Sequence, residues 1–284
     1  MKKSKYSHSD FNINKLPSTR KEQYKDILQC EYRTLISLWF LMLLFFIPEM
    51  IIYLMKDYAI SSIISNLVNN QTSLDETLYS LKSAYLVYDS LELICLIIFF
   101  LGLAGVYRVF RILLWNEGLF FKDDFIEGIR LNGFRFALNA IVIELCILAI
   151  DLSDTVLYKY TKNANIFSGI SIFLTLFVII PIVLFNLAQE NFYSNSCLKT
   201  IINSFKLTIG KYPKMLLFSL VFAFIFFIFG INNKLLVILI FALAIVFLLP
   251  LYLCKNITFS LGVFDELIND NFKEIKNKGL FKKN

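Results

Sequence analysis

Hydrophobic positions in this chain come in six long blocks, separated by short polar or amphipathic stretches. The blocks run over Leu35–Met55, Leu91–Phe110, Gly133–Ile150, Ile166–Leu187, Pro213–Gly230 and Leu235–Leu253. Each holds about the 20 residues that an α-helix, rising ~1.5 Å per residue, needs to cross a hydrocarbon layer ~30 Å thick. None alternates with a period of two, and a bilayer offers exposed backbone no hydrogen-bond partner, so each block is predicted to be a transmembrane helix. The predicted fold class is all-α: a polytopic membrane protein of six transmembrane helices with amphipathic interfacial helices on the cytoplasmic side. About 34 residues precede the first block without a small-residue cleavage site, which marks that block as an anchor rather than a signal peptide.

The stretches between blocks carry their own periodicity. In the N-terminal tail, Tyr24, Ile27, Leu28 and Tyr32 fall on one helical face. Phe121, Phe125, Ile126 and Ile129 line a second face, opposite Asp123, Asp124, Glu127 and Arg130, and Asp124 with Glu127 reads as an N-terminal cap pair. Leu198, Ile201, Ile202, Phe205 and Ile209 make a third stripe that stops at Gly210, and Pro213 suits the first turn of the next span. Beyond the last block, Phe264, Leu267, Ile268, Phe272 and Ile275 oppose Asp265, Glu266, Asp270, Lys273 and Lys276. An interfacial helix followed by a helical hairpin thus occurs three times, as a pattern without residue-level repetition. These helices are expected in the headgroup layer, and docking of another membrane or cytoplasmic protein through Asp123–Leu131 or Leu198–Gly210 is the open alternative. In the long connection from Lys56 to Ala84, Ile60, Ile63, Ile64 and Leu67 predict one short helix lying on the membrane. The chain divides into a basic tail (1–34), a six-helix domain (35–253) and an amphipathic, basic tail (254–284).

Composition agrees with this reading. Of the 284 residues, 57% are hydrophobic and 18% charged, against roughly 45–50% and 25% in soluble domains, and the mean hydropathy is +0.65. There are too few charges to cover a water-facing surface, which excludes a soluble enzyme, a disordered chain and a disulfide scaffold. All but five of the 28 Lys and Arg (Lys56, Lys82, Lys159, Lys162 and Lys234 are the exceptions) lie in the tails or at the second and fourth connections. The positive-inside rule then predicts a multi-pass cell-membrane protein with both termini cytoplasmic. The net charge of +6 fits anionic headgroups and not nucleic acid, because no basic cluster is interleaved with stacking aromatics.

Candidate chemistry is sparse. The five cysteines are scattered, and the single histidine, His8, lies in the N-terminal tail, so no metal site and no cofactor are expected. Phosphate-cradling, zinc-protease and nucleophile-elbow motifs are missing, and the chain is read as a non-enzyme. Gly102 and Gly105 are expected to permit close helix packing. The informative residues are acids within or beside the blocks: Glu49, Asp89, Glu92, Glu144, Asp151 and Asp154. No Lys or Arg within the blocks neutralises them, and intramembrane acids are functional candidates by default. Asp89 with Glu92 also has the spacing of a helix-capping pair, and Asp151 and Asp154 are near enough to the boundary to be hydrated. Glu49 and Glu144 each lie six residues before the end of a block, about 10 Å deep, where a structural hydrogen bond and an aqueous cavity are both admissible. Glu49, Asp89, Glu92, Glu144 and Asp151 are therefore the candidate lining of an outward-facing polar cavity, holding a shared proton or a cationic or polyhydroxylated ligand.

The stretch Gly102–Asn132 runs from a glycine-containing span end into Tyr107-Arg108, then Asn116-Glu117-Gly118, Asp124-Phe125 and Asn132. It resembles the YesL-like family of bacterial membrane proteins, as does Leu198–Leu217 with its Asn203-Ser204-Phe205 and basic, proline-containing turn. The resemblance implies a six-span protein linked with carbohydrate uptake and brings no catalytic residues. The expected function is non-catalytic and transport-associated, as an accessory or small-solute uptake protein. A membrane scaffold or regulator acting through cytoplasmic amphipathic helices is the alternative. An ABC-importer permease is disfavoured, because the Glu-Ala-Ala…Gly pattern of a coupling helix is missing from Leu198–Lys211.

Overall fold

The computed structural model describes the backbone of residues 16–69, 71–160, 164–229, 248–271 and 274–281, and the side chains of the same residues except 154–160, 164–165, 222–229 and 271. Every regular element among them is helical. In chain order they are α1 (Arg20–Cys30), α2 (Tyr32–Val68), α3 (Leu74–Leu114), α4 (Phe121–Tyr160), α5 (Ala164–Leu174), a π-helical turn (Thr175–Ile179), α6 (Ile180–Phe192), α7 (Cys197–Gly210), α8 (Tyr212–Phe229), α9 (Leu249–Leu267) and a 3₁₀ turn (Asn269–Asn271). Among the described residues, four helices are long and apolar enough to cross a membrane: Tyr32–Val68, Leu74–Leu114, Phe121–Ser153 and Ile166–Phe192. The fifth expected span falls on α8, and most of the sixth, together with the side chain of Asp154, lies outside the described residues.

The outer faces of these helices are apolar. Phe40, Leu44, Ile51 and Met55 on α2, Ile94 on α3, Leu145 on α4 and Phe173 on α5 are all exposed. In water such a surface would be an aggregation hazard; against lipid it is the expected solution, and the chain is an integral membrane protein on this ground.

Helix α3 is the central element. From Gly102 to Leu114 nearly every side chain is buried, because α2, α4, α6 and α9 all pack on it. Close approach depends on glycine. A Cβ added at Gly102 would meet the Phe45 ring at 2.7 Å and one at Gly105 the Phe125 ring at 2.6 Å, while at Gly128 it would meet the Ala104 carbonyl oxygen at 2.8 Å. In the α5–α6 helix, Pro181 has no N–H for the carbonyl of Phe177 four residues earlier. The Tyr212 hydroxyl donates to that carbonyl at 3.1 Å, so the freed group is satisfied inside the bundle, as hydrocarbon requires.

Several connections differ from the sequence reading. The segment from Lys56 to Ala84 is not a loop with a surface helix. Helix α2 continues to Val68 and α3 begins at Leu74, so Ile60, Ile63, Ile64 and Leu67 belong to an extended hairpin. Its turn ends at Ser73, whose hydroxyl accepts from the Glu76 N–H while Glu76 accepts from the Ser73 N–H, a reciprocal capping box. Asp89 and Glu92 are mid-helix and cap nothing. Residues Asp123–Leu131 are not a separate helix either: α4 is unbroken from Phe121 to Tyr160. Asp124 does accept from the Phe120 N–H at 2.6 Å, but Glu127 pairs with Arg108 at 3.0 Å. Helix α7 is separate, ends at Gly210 as expected, and turns its apolar stripe outward: Leu198, Ile201, Ile202, Phe205 and Ile209 are exposed while Thr200, Ser204 and Thr208 face the bundle.

The first and last described segments of the chain meet at one end of the bundle, called the near end below; the α2–α3 turn marks the far end. The stripe from Phe264 to Ile275 is not one helix, because α9 stops at Leu267 and the tail folds back. Arg20 pairs with Asp265 at 2.6 Å, Lys278 pairs with Glu117 at 2.8 Å and sits 3.9 Å above the Trp115 ring, and the Phe281 N–H donates to the Pro17 carbonyl. Gly279 allows the return with φ +81, a conformation costly for any side chain. Burial holds the Tyr193 phenol above its ordinary range, keeping it a donor to Asn269 at 2.7 Å.

Candidate functional site

Three helices bring the candidate acids together near the far end. Helix α2 carries Glu49 and Lys56, α3 carries Asp89 and Glu92, and α4 carries Glu144 and Asp151. Spacings of three and seven residues keep each pair on one helical face. The residue that organises them is Lys56. Its Nζ lies 2.5 Å from Asp89 Oδ1, 2.9 Å from Glu92 Oε2 and 2.8 Å from Asp151 Oδ2, with its charge 5.6 Å from the centre of the Tyr85 ring. The sequence reading placed Lys56 in an outer loop and found no base among the acids; because α2 runs on for another twelve residues, Lys56 points into the bundle. The spacing carried a usable signal, since Lys56 follows Glu49 by seven residues just as Asp151 follows Glu144.

The cluster is graded in depth. The Asp151 side chain is 24% exposed, Lys56 10%, Glu92 6% and Asp89 2%. Glu144, at 4%, approaches the group from below: single oxygens of Asp89, Glu92 and Glu144 lie within 4.8 Å of one another. Both Glu144 oxygens and one oxygen each of Glu49 and Glu92 are buried without a hydrogen-bond partner. Glu49 is within electrostatic reach of Glu92, Glu144 and Lys56.

Among the described residues, five carboxylates therefore gather about one ammonium, three of them in contact with it. Two bare carboxylates at such a separation repel by roughly 3–4 kcal/mol even at an effective dielectric of about 20. Lys56 offsets this for the three acids it touches, and Glu144 and Glu49 have no such contact. Further positive charge, as protons or as a bound cation, would relieve the repulsion that Lys56 leaves. Asp89, Glu92 and Glu144 offer three hard oxygen donors close enough to share one small cation; the sequence led to a cationic or polyhydroxylated ligand at these acids but to no metal site.

A second buried polar group lies in the near half and was not read from the sequence. Glu190 on α6 accepts from the Asn139 side chain at one oxygen and from the Asn186 side chain at the other, both at 3.2 Å. Asn186 also donates to Asn139 Oδ1 at 2.9 Å, Gln189 donates to Ser204 of α7 at 2.7 Å, and Asn191 donates to the Tyr107 carbonyl at 2.8 Å. This network ties α4, α6, α7 and α3 together. No disulfide joins any of the five cysteines.

No protein-family model, curated protein or solved structure matches the chain, so the functional reading rests on the geometry above.

Proposed function

We propose that this integral membrane protein is non-catalytic and transport-associated, with the Lys56-centred cluster as an outward-facing site for a proton or small cation. The observation that carries the reading is the charge imbalance: among the described residues, Glu49, Asp89, Glu92, Glu144 and Asp151 gather near one buried ammonium within predominantly apolar helices. A site held only for stability is matched in charge, because unpaired buried charge is costly. The graded exposure from Asp151 inward supplies a route by which a small ion exchanges with water. The outward assignment rests on the excess of Lys and Arg in the tails and near-end connections. Six spans, cytoplasmic termini, an α7 lying in the inner headgroup layer and the YesL-like resemblance with its link to carbohydrate uptake belong to the same proposal.

The test is ion movement in reconstituted vesicles loaded with pH- and cation-sensitive dyes. Wild-type protein should dissipate an imposed gradient faster than a variant carrying Glu49→Gln and Glu144→Gln, with both inserted to the same extent. Equal rates for the two proteins would contradict the reading. The scaffold reading draws on the exposed stripe of α7, and equal rates together with loss of a binding partner on polar substitution at Ile201 and Phe205 would favour it.

A further inference from the structure

At the near end, α1, the start of α8 and the later half of α9 line an open recess of about 290 Å³. Its walls carry five basic side chains, Arg20, Lys21, Lys211, Lys214 and Lys255, against one acid, Glu266. Two of the five are already used: Arg20 pairs with Asp265 at 2.6 Å, and Lys211 with Glu266 at 2.9 Å. Among the described residues, Lys21, Lys214 and Lys255 have no carboxylate within ion-pair distance. Three exposed lysines on three different helices thus line one concavity, whose single acid, Glu266, is paired with Lys211. Tyr24 also lines it and offers a hydroxyl donor.

Position and shape select the ligand. Lys214 and Lys255 each lie within two residues of an expected membrane boundary, at the start of Pro213–Gly230 and the end of Leu235–Leu253. The lysine end of the recess is therefore level with lipid headgroups, while Phe259 and Val263 in its lining lie one and two helical turns beyond Lys255, away from the span. Ammonium groups bind phosphate oxygens through charge-assisted hydrogen bonds, and basic recesses between membrane helices take acidic headgroups.

We propose that this recess is a binding site for the phosphate-bearing headgroup of an anionic phospholipid, held by Lys21, Lys214 and Lys255. The inference uses the span boundaries given above but is independent of the far-end acid cluster. An occupied site joins α1 to α8 and α9 through one phosphate, so the lipid acts as a fastener between the tail clasp and the membrane helices.

The experiment uses the full chain purified in a neutral detergent, titrated with phosphatidylglycerol, with phosphatidylcholine or with inorganic phosphate while thermal unfolding is followed. Phosphatidylglycerol should raise the midpoint saturably, and phosphatidylcholine and inorganic phosphate should not. Each single substitution, Lys214→Gln or Lys255→Gln, should weaken the apparent affinity for phosphatidylglycerol about fivefold. Glu144→Gln should leave that affinity unchanged. Native mass spectrometry of the same samples should show one phosphatidylglycerol retained by wild type and lost from the lysine variants, a readout that does not depend on their stability. An equal response to phosphatidylcholine, a shift reproduced by inorganic phosphate alone, or lysine variants that keep wild-type affinity would each overturn the proposal.

Discussion

In the near half of the bundle, Glu190 sits between two asparagines that donate to both of its carboxylate oxygens. At the far end, Glu49, Asp89, Glu92, Glu144 and Asp151 share Lys56, and Glu144 accepts no hydrogen bond at all. The two regions face the same difficulty, a carboxylate in apolar surroundings, and differ in what surrounds it. Amide donors are neutral and fixed, both oxygens of Glu190 are satisfied by them, and Arg135 is within electrostatic reach, so this acid is provided for within the protein. Around Lys56 the acids outnumber the base, and positive charge from solution would relieve the repulsion that remains. Burial of acids alone does not separate a structural polar group from a functional one; the account of donors and counter-charges does.

The largest expected effect falls on the residue that holds the far-end cluster together. Lys56→Met leaves three acids without their counter-ion, and unfolding free energy in micelles should drop by about 3–5 kcal/mol, the usual cost of stripping one partner from a buried pair. Adding Asp89→Asn and Glu92→Gln to Lys56→Met should recover most of it; no recovery would mean that Lys56 acts through packing. A smaller loss is expected in the amide network. Asn186→Leu removes the bonds to Asn139 and Glu190, and hydrogen bonds between membrane helices contribute about 0.6 kcal/mol on average and up to ~1.7. A drop of that size in the same unfolding assay, with ion movement unchanged, would mark the network as structural. Glu144→Gln should be the mildest for stability, below about 1 kcal/mol, because no hydrogen bond is lost, yet ion movement should fall. A large stability loss there would make Glu144 a structural residue like Glu190.

Much of the architecture was legible because hydrophobic periodicity is a direct consequence of burial and of lipid contact. Helix α7, its stop at Gly210 and the close packing at Gly102 and Gly105 followed from spacing. The limits of α2, α3 and α4 did not, since hydropathy marks the stretch that suits lipid and is silent on how far a helix continues beyond it. That single gap misplaced Lys56 and turned Asp89 and Glu92 into a cap. The acids of the far-end site were legible because charge inside an apolar block stands out. Asn139, Asn186 and Glu190 were not, because they lie toward or past the block ends, where polar residues read as ordinary boundary.

The central claim, that the far-end cluster takes positive charge from solution, is tested most directly by the unfolding midpoint of the purified protein followed against added protons and against small monovalent and divalent cations. The wild-type midpoint should rise as either is supplied, because repulsion among the five carboxylates is relieved. The variant with Glu49→Gln and Glu144→Gln should respond weakly, and Glu190→Gln should respond to added metal cations as wild type does. Wild type and the double variant rising in parallel, or neither responding, would contradict the account.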